Sequence, residues 1–295
     1  MRRAVILCAT SPAAGAAMKS RGSTRGAAAA TTYPERGARL RCVDMCLVLL
    51  AVRPSARITL VVAANRDELH ARPSNALAEW DDVPGLVGGR DLKAGGTWLG
   101  VTRSGRFATL TNVRSPSARR EGRSRGELVR DFLVSDRDPV DYASTLAGDA
   151  EAYPSFNLIV ADREDVLYVS DQAGSATELS PGIHGLSNAR IDEPWPKVED
   201  GKRAMANAVR VAGEVDVEAL FAALREERRA EDERLPSTGV PLEIERFLSS
   251  AFLRSREYGT RCSTVVVRRG DGSGVIEERR FDASGGESGR TRLVL

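Results

Sequence analysis

The stretch CLVLLAVRPSARITLVVAANRDE, residues 46–68, decides the fold. Two β-rich apolar runs, 46–52 and 58–64, flank the proline-containing turn RPSA and predict an antiparallel hairpin. Three more hairpins are predicted downstream: one turning at Ser104-Gly105, one through 162–165 and one through 270–274. Apolar residues at i, i+3/i+4 spacing predict helices over 125–135, 140–147, 195–211, 215–227 and 242–253. The helix at 195 begins among two prolines, which suit a first turn. Hairpins and helices come in blocks rather than alternating as crossover units. That order points to an α+β protein with antiparallel sheets and helices on their outer faces. Two such sheets stacked together make a four-layer α/β/β/α sandwich.

Charge divides the chain of 295 residues. Its net charge is +2, yet residues 1–44 carry eight Lys/Arg against two acids. The remainder, 45–295, is therefore mildly acidic, which argues against a nucleic-acid surface. Residues 1–44 are rich in Ala, Arg, Ser, Thr and Gly and offer no core element. They read as a disordered extension, a targeting segment or a mis-assigned start, with one domain over 45–295. The longest apolar runs are too short to span a bilayer as a helix, so no integral membrane segment is expected. The four cysteines (Cys8, Cys42, Cys46, Cys262) include no C-x-x-C, and only two histidines occur. No metal site and no cofactor is expected from such spacings, and a reducing cytoplasm suits them.

Cys46 carries the question of function. As a strand residue it reads as a small buried hydrophobe. As a nucleophile it needs an activating base, and an N-terminal α-amine with a pKa of roughly 7.7–8.0 can serve. That second reading requires Cys46 to be the first residue. The strand 58–64 returns antiparallel and ends in Asn-Arg-Asp-Glu, which brings Arg66 and Asp67 beside Cys46; without that return, the cluster reads as a charged turn. A carboxylate there orients an ammonium, and an arginine favours a thiolate. Adjacent strand residues point to opposite faces. Asn112 and Asn188 stand at strand ends, where an amide serves as a cap or as an oxyanion donor. His184 has no Ser/Asp constellation and reads as structural. Arg261 opens a late strand, and Cys262 after it reads as core. Five glycines in 88–100 allow close backbone approach, but no phosphate-loop pattern accompanies them. Basic residues around 114–123 form either a solvated loop or an acid-attracting wall.

These segments together resemble the NRDE family, also called the transport-and-Golgi-organisation protein 2 family. The resemblance is carried by MCLVLLAV at 45, ANRDE at 64, RP at 72, GGRDLKAGGTWLGV at 88, TN at 111, NLIVAD at 157, GLSNA at 185 and YGTRCST at 258. It implies an Ntn-hydrolase-like sandwich, similar to N-terminal-cysteine amidohydrolases acting on non-peptide amide C–N bonds. By position it implies Cys46 as nucleophile with its α-amine as base, and Arg66 and Asp67 beside it. It also implies Asn188 in the oxyanion hole, Asn112 as a second polar group and Arg261 as a late-strand arginine. The partner would be a small-molecule substrate. The alternative is a non-enzymatic carrier or chaperone for haem or a lipid-like hydrophobic ligand, since members are also linked to secretory-pathway organisation and such handling. Neither pattern nor resemblance fixes the oligomeric state.

Overall fold

The computed structural model describes residues 45–209 and 214–295. The expectations for 1–44, and for a helix continuing to Val211, fall partly or wholly outside them. The first hairpin forms from β1 (Met45–Val52) and β2 (Ile58–Leu69), in the register Val52↔Leu60 to Met45↔Asp67. β2 does not end at the polar tetrad: Asn65, Arg66, Asp67 and Glu68 are strand residues. β3 (Ser74–Trp80), β4 (Val83–Asp91), β5 (Leu99–Thr102), β6 (Phe107–Asn112), β7 (Phe156–Ala161), β8 (Val166–Ser170) and β9 (Thr177–Glu178) follow in chain order and form one sheet. The other sheet runs β10 (Gly182–Leu186), β1, β2, β11 (Tyr258–Arg269), β12 (Gly274–Phe281), β13 (Glu287–Val294). Every pairing is antiparallel.

Alternation along β1 and β2 splits their side chains between two cores. Val48, Leu50, Val52, Leu60, Val62 and Ala64 meet Val101, Phe107 and Ile159 of the other sheet. Leu47, Leu49, Ala51, Val61 and Ala63 instead pack against α3 (Pro196–Ala208) and α4 (Val217–Leu224). The outer face of the second sheet, through Ala108, Leu158 and Val160, takes α1 (Arg125–Val134) and α2 (Pro139–Ala147). The layers are thus α/β/β/α, the four-layer sandwich expected from the resemblance. α5 (Leu242–Leu248) packs with Leu253 and Tyr258. Among the described residues no helix is long and apolar enough to cross a membrane.

Local chemistry fixes the helix ends. Asp138 and Asp216 accept from the backbone N–H of Asp141 and Ala219, at 2.8 and 2.9 Å, and so cap α2 and α4. Pro196 opens α3, where its missing N–H costs nothing. Glycine lets α3 lie close on the sheet: a Cβ on Gly201 would stand 2.6 Å from Leu49 Cδ2 of β1. We expect Gly201→Leu to destabilise the fold by about 1–3 kcal/mol through this overpacking. Gly148→Ala, which meets nothing nearer than Thr145 O at 3.7 Å, should stay within about 0.5 kcal/mol of the parent. Urea unfolding of both variants checks this; equal midpoints would remove the case for a close α3–β1 contact.

Candidate active site

Cys46 is the second residue of β1 and lies opposite Arg66 of β2. Alternation puts both side chains on the inter-sheet face. There Arg66 stacks over the Trp98 ring at 4.2 Å and faces Asp91 at 3.5 Å and Glu68 at 3.9 Å. Arg66 is 6% exposed and Cys46 8%. Asp67 lies opposite Met45 and faces the helix side. The Met45–Cys46 peptide therefore lies across from the Arg66–Asp67 peptide. Arg66 and Asp67, the two residues expected beside Cys46, both lie at its end of β2, on opposite faces of the sheet.

Asp67 accepts from Thr260 Oγ1 at 2.6 Å, while its Oδ2 accepts no hydrogen bond among the described residues. Burial pushes its carboxyl up to about 6, against the pull of Lys197, Thr260 and Arg66. Lys197, in the first turn of α3, is 4% exposed and its Nζ likewise donates to no described group. Burial pulls its ammonium down to about 8, while Asp67, Cys46 and Glu245 favour the charged form and Arg114 opposes it. Behind it, Arg114 Nη1 faces Glu245 Oε2 at 3.1 Å and the guanidinium lies over the Trp195 ring at 4.5 Å. Glu245 also accepts from Thr238 N and Oγ1, at 3.0 and 2.5 Å.

Asn188 is fully buried in the segment after β10. Its Nδ2 donates to the Asn112 carbonyl at 2.8 Å, and its own carbonyl accepts from Arg114 N at 2.7 Å. Ser187 Oγ lies 3.0 Å from the Cys46 carbonyl and 3.1 Å from Asn188 Oδ1. Thr111 Oγ1 donates to the Ser187 carbonyl at 2.5 Å, and Asn157 Nδ2 to the Ala189 carbonyl at 2.9 Å. This clasp ties the end of β10 in one sheet to β6 and β7 in the other, and it holds Asn188 beside the Cys46 main chain. Asn112 enters through its carbonyl. Alongside opens a cleft of about 540 Å³, lined in part by Asn188, Trp195, Arg114, Arg190, Gln172 and Pro236.

Arg261 takes a different place. It is the extra residue of a bulge in β11, and its Nη1 donates to the carbonyls of Leu69, His70 and Arg72, at 2.9, 3.2 and 3.1 Å. It shapes the turn after β2. His184 pairs with Asp192 at 2.8 Å and tethers it together with Lys202 of α3. Cys262 is buried, and burial raises its thiol well above the ordinary range. Arg119 and Arg123 are drawn to Asp171 and Glu127 rather than to the cleft. Among the described residues no group of three or more His, Cys, Asp or Glu is arranged to hold a metal ion.

Sequence reasoning missed Lys197, Glu245 and Ser187 here, and it read Arg114 only as one of the basic residues of a solvated loop or acid-attracting wall. Lys197 carried a usable signal: it is in phase with Gly201, Met205 and Ala208 on the buried stripe of α3. A lysine in an apolar stripe must find charge partners inside.

The Asp67 carboxyl binds its proton more tightly when folded, at about 6, than at its ordinary value of 3.8. The unfolded chain therefore holds fewer protons in that window, and Asp67 lowers stability as pH rises through it. We expect the stability difference between wild type and Asp67→Asn to change by about 3 kcal/mol across the window. Urea midpoints at the two ends measure it; parallel pH profiles would refute an elevated Asp67.

A model of the family Transport and Golgi organisation 2 matches residues 45–283. The chain is 34% identical to Transport and Golgi organization protein 2 homolog of Bos taurus over 255 residues, covering 80% of this chain and 92% of that protein. The Homo sapiens homolog is 33% identical with the same coverage. Transport and Golgi organization protein 2 of Drosophila melanogaster is 28% identical, over 70% of this chain and 81% of its own. Among solved structures, a Caenorhabditis elegans N-acylethanolamine-hydrolyzing acid amidase ortholog aligns with a TM-score of 0.41 at 14% identity, covering 75% of this chain and 92% of its own. A mutant of the conjugated bile acid hydrolase from Clostridium perfringens aligns with a TM-score of 0.48 at 7% identity, covering 84% and 92%. The chain belongs to the Transport and Golgi organisation 2 family.

Proposed function

We propose that this protein is an N-terminal-cysteine hydrolase of non-peptide amide C–N bonds, active in the form whose first residue is Cys46. The observation that carries the reading is the register: Cys46 opposite Arg66, and the bond preceding Cys46 opposite the Arg66–Asp67 peptide. In that form the α-amine takes the thiol proton, and the sulfur attacks the substrate carbonyl carbon. Negative charge gathers on the carbonyl oxygen, where the Asn188 amide is the side-chain donor. The C–N bond then breaks, the leaving nitrogen takes the proton from the ammonium, and a thioester remains. Water attacks the thioester with the same amine as base, which releases the acid and restores the thiol.

Each neighbour has a part in this sequence. Asp67 holds the α-ammonium, and Arg66 supplies positive charge on the face of the sulfur. Asn112 orients Asn188 through its carbonyl, and Arg261 braces the turn beyond Asp67. The small-molecule substrate enters from the cleft that Asn188 and Trp195 line. Neither Cys46 nor Cys262 is in a disulfide among the described residues, and a reducing compartment preserves such thiols, so the proposal includes a cytoplasmic location.

The reading makes a specific demand on the thiol. A chain beginning at Cys46 should react with iodoacetamide at pH 7 at least about tenfold faster than a model thiol, because its amine and Arg66 favour the thiolate. Cys46→Ala should abolish this label, and Cys262→Ala should leave it. Intact mass before and after labelling reads the outcome. A Cys46 that reacts no faster than the model thiol would overturn the hydrolase in favour of the carrier.

A further inference from the structure

His184 is a titratable group that the proposed hydrolysis leaves without a task. Both of its ring nitrogens face acceptors. Nδ1 lies 2.8 Å from Asp192 Oδ2, and Nε2 lies 2.9 Å from the Ser180 carbonyl. The carbonyl has no hydrogen to give. Asp192 has none either: burial raises its carboxyl, yet bonds from His184, Lys202 and the Gly185 N–H bring it down to about 2. A neutral imidazole has one N–H and one lone pair, so it satisfies only one of the two acceptors. The imidazolium donates to both. The bond to Asp192 raises the ring from its ordinary 6.5, against its burial, and the bond to Ser180 adds to the rise while the Lys202 ammonium opposes it.

Asp192 is what this ring holds. Its main-chain N–H donates to the Gly185 carbonyl at 2.8 Å. Its Oδ1 accepts from the Gly185 N–H at 2.9 Å and from Lys202 Nζ of α3 at 2.5 Å. It thus pairs with the outer edge of β10 much as a residue of a further strand would. Its φ of 59° is left-handed, a conformation that a residue other than glycine keeps where its surroundings hold it. Ser180 precedes β10 and Asp192 follows it, so the ring ties together the two segments that flank one edge strand. On one side of Asp192 the chain leads back to Asn188 and the clasp between the sheets; on the other it leads into α3. Arg190, Glu193, Pro194 and Trp195 of this stretch line the cleft. We propose that His184, as an imidazolium, is the pH-dependent positioning residue of this part of the cleft wall, acting through Asp192. What the wall does for a substrate rests on the hydrolase reading; the positioning does not. His184 is given no contact with substrate.

The test is amide hydrogen exchange of the full chain, followed by mass spectrometry on peptides covering 185–195 and corrected for the intrinsic rate at each pH. The folded chain binds the His184 proton more tightly than the unfolded chain does. Its contribution is therefore complete below 6.5 and is lost as pH rises through the folded value. Loss of one charge-assisted bond should lower protection of these peptides about tenfold, relative to α1, between about pH 5.5 and about pH 9. The chain has two histidines, so His70→Gln leaves His184 alone for titration by NMR. Its midpoint should lie above 6.5 and coincide with the fall in protection. Asp192→Asn should bring that midpoint down, and His184→Gln should make protection independent of pH. The wild-type exchange profile is decisive by itself if a variant does not fold. A His184 midpoint at or below 6.5 would overturn the proposal, as would wild-type protection that is flat across the window. So would a fall that persists in His184→Gln, since it marks another titrating group. An unreactive Cys46 would sink the hydrolase and leave these profiles as they are, so the two failures are told apart.

Discussion

The register between β1 and β2 is the constraint on which the rest of the structure depends. In these central strands both faces are buried, one against the second sheet and one against α3 and α4. Hydrophobicity is a weak guide to register here, because Leu, Val and Ala occupy both faces. The polar end of β2 decides it instead. Asn65 reaches the Leu224 and Ala251 carbonyls at 2.8 Å on the helix side and accepts from Ser263 at 2.6 Å. Arg66 reaches Trp98 and Asp91 on the other side. A slip of one residue would exchange these faces and leave both groups buried without partners, at a cost of a few kcal/mol each. The same register sets Cys46 opposite Arg66.

Beyond the part Arg66 has in the register, the fold gains little from the charges gathered at this end. Buried ion pairs recover their desolvation poorly, and apolar residues of similar volume often serve stability as well or better. Yet Arg66, Asp67, Lys197, Arg114 and Glu245 are all buried within a few strands and helices of one cysteine. Asp67 and Lys197 are shifted toward neutrality by burial and toward charge by each other. Perturbed groups of this kind cluster where chemistry is done. The clasp through Thr111, Ser187 and Asn188 adds a polar link between the sheets at the same end, while the apolar layer between them runs toward the other.

Much of this is legible in the sequence, and the remainder is hidden for identifiable reasons. The four hairpins announce themselves because β-branched runs flank Pro or Gly turns or, at 162–165, a run of charged residues; Gly105, with φ 95°, is the residue that the Ser104-Gly105 turn requires. β3 and β4 escape a reading of pattern, because SNALAEW and VPGLVGGRD mix glycine, proline and charge and are held by ladder pairing and bulges rather than propensity. β13, ESGRTRLV, is a largely exposed edge strand with little apolar pattern. At the site, Arg66 and Asp67 are legible once the hairpin returns them to Cys46, and Asn188 from its junction after a strand. Lys197, Glu245 and Arg114 are not, because three separate elements bring them together and no local spacing records that. Arg261 reads as opening a strand, yet β11 begins three residues earlier at Tyr258, and the bulge that turns its guanidinium toward the 69–72 carbonyls follows from β2–β11 pairing alone.

The adjacency of Arg66 and Asp67 gains a meaning from this geometry. Two neighbours in a strand cannot both face one side chain. A nucleophile that acts with its own main-chain nitrogen, however, presents two reactive atoms on different sides of the strand. On the proposed reading the sulfur lies on the inter-sheet face with Arg66, and the nitrogen lies toward Asp67 on the helix face. Consecutive residues on β2 then address the two atoms of one residue on β1 without any bend in the strand. The arrangement separates the electrostatics as well. On the same reading, positive charge from Arg66 favours the thiolate across one face, while the Asp67 carboxylate holds the ammonium across the other.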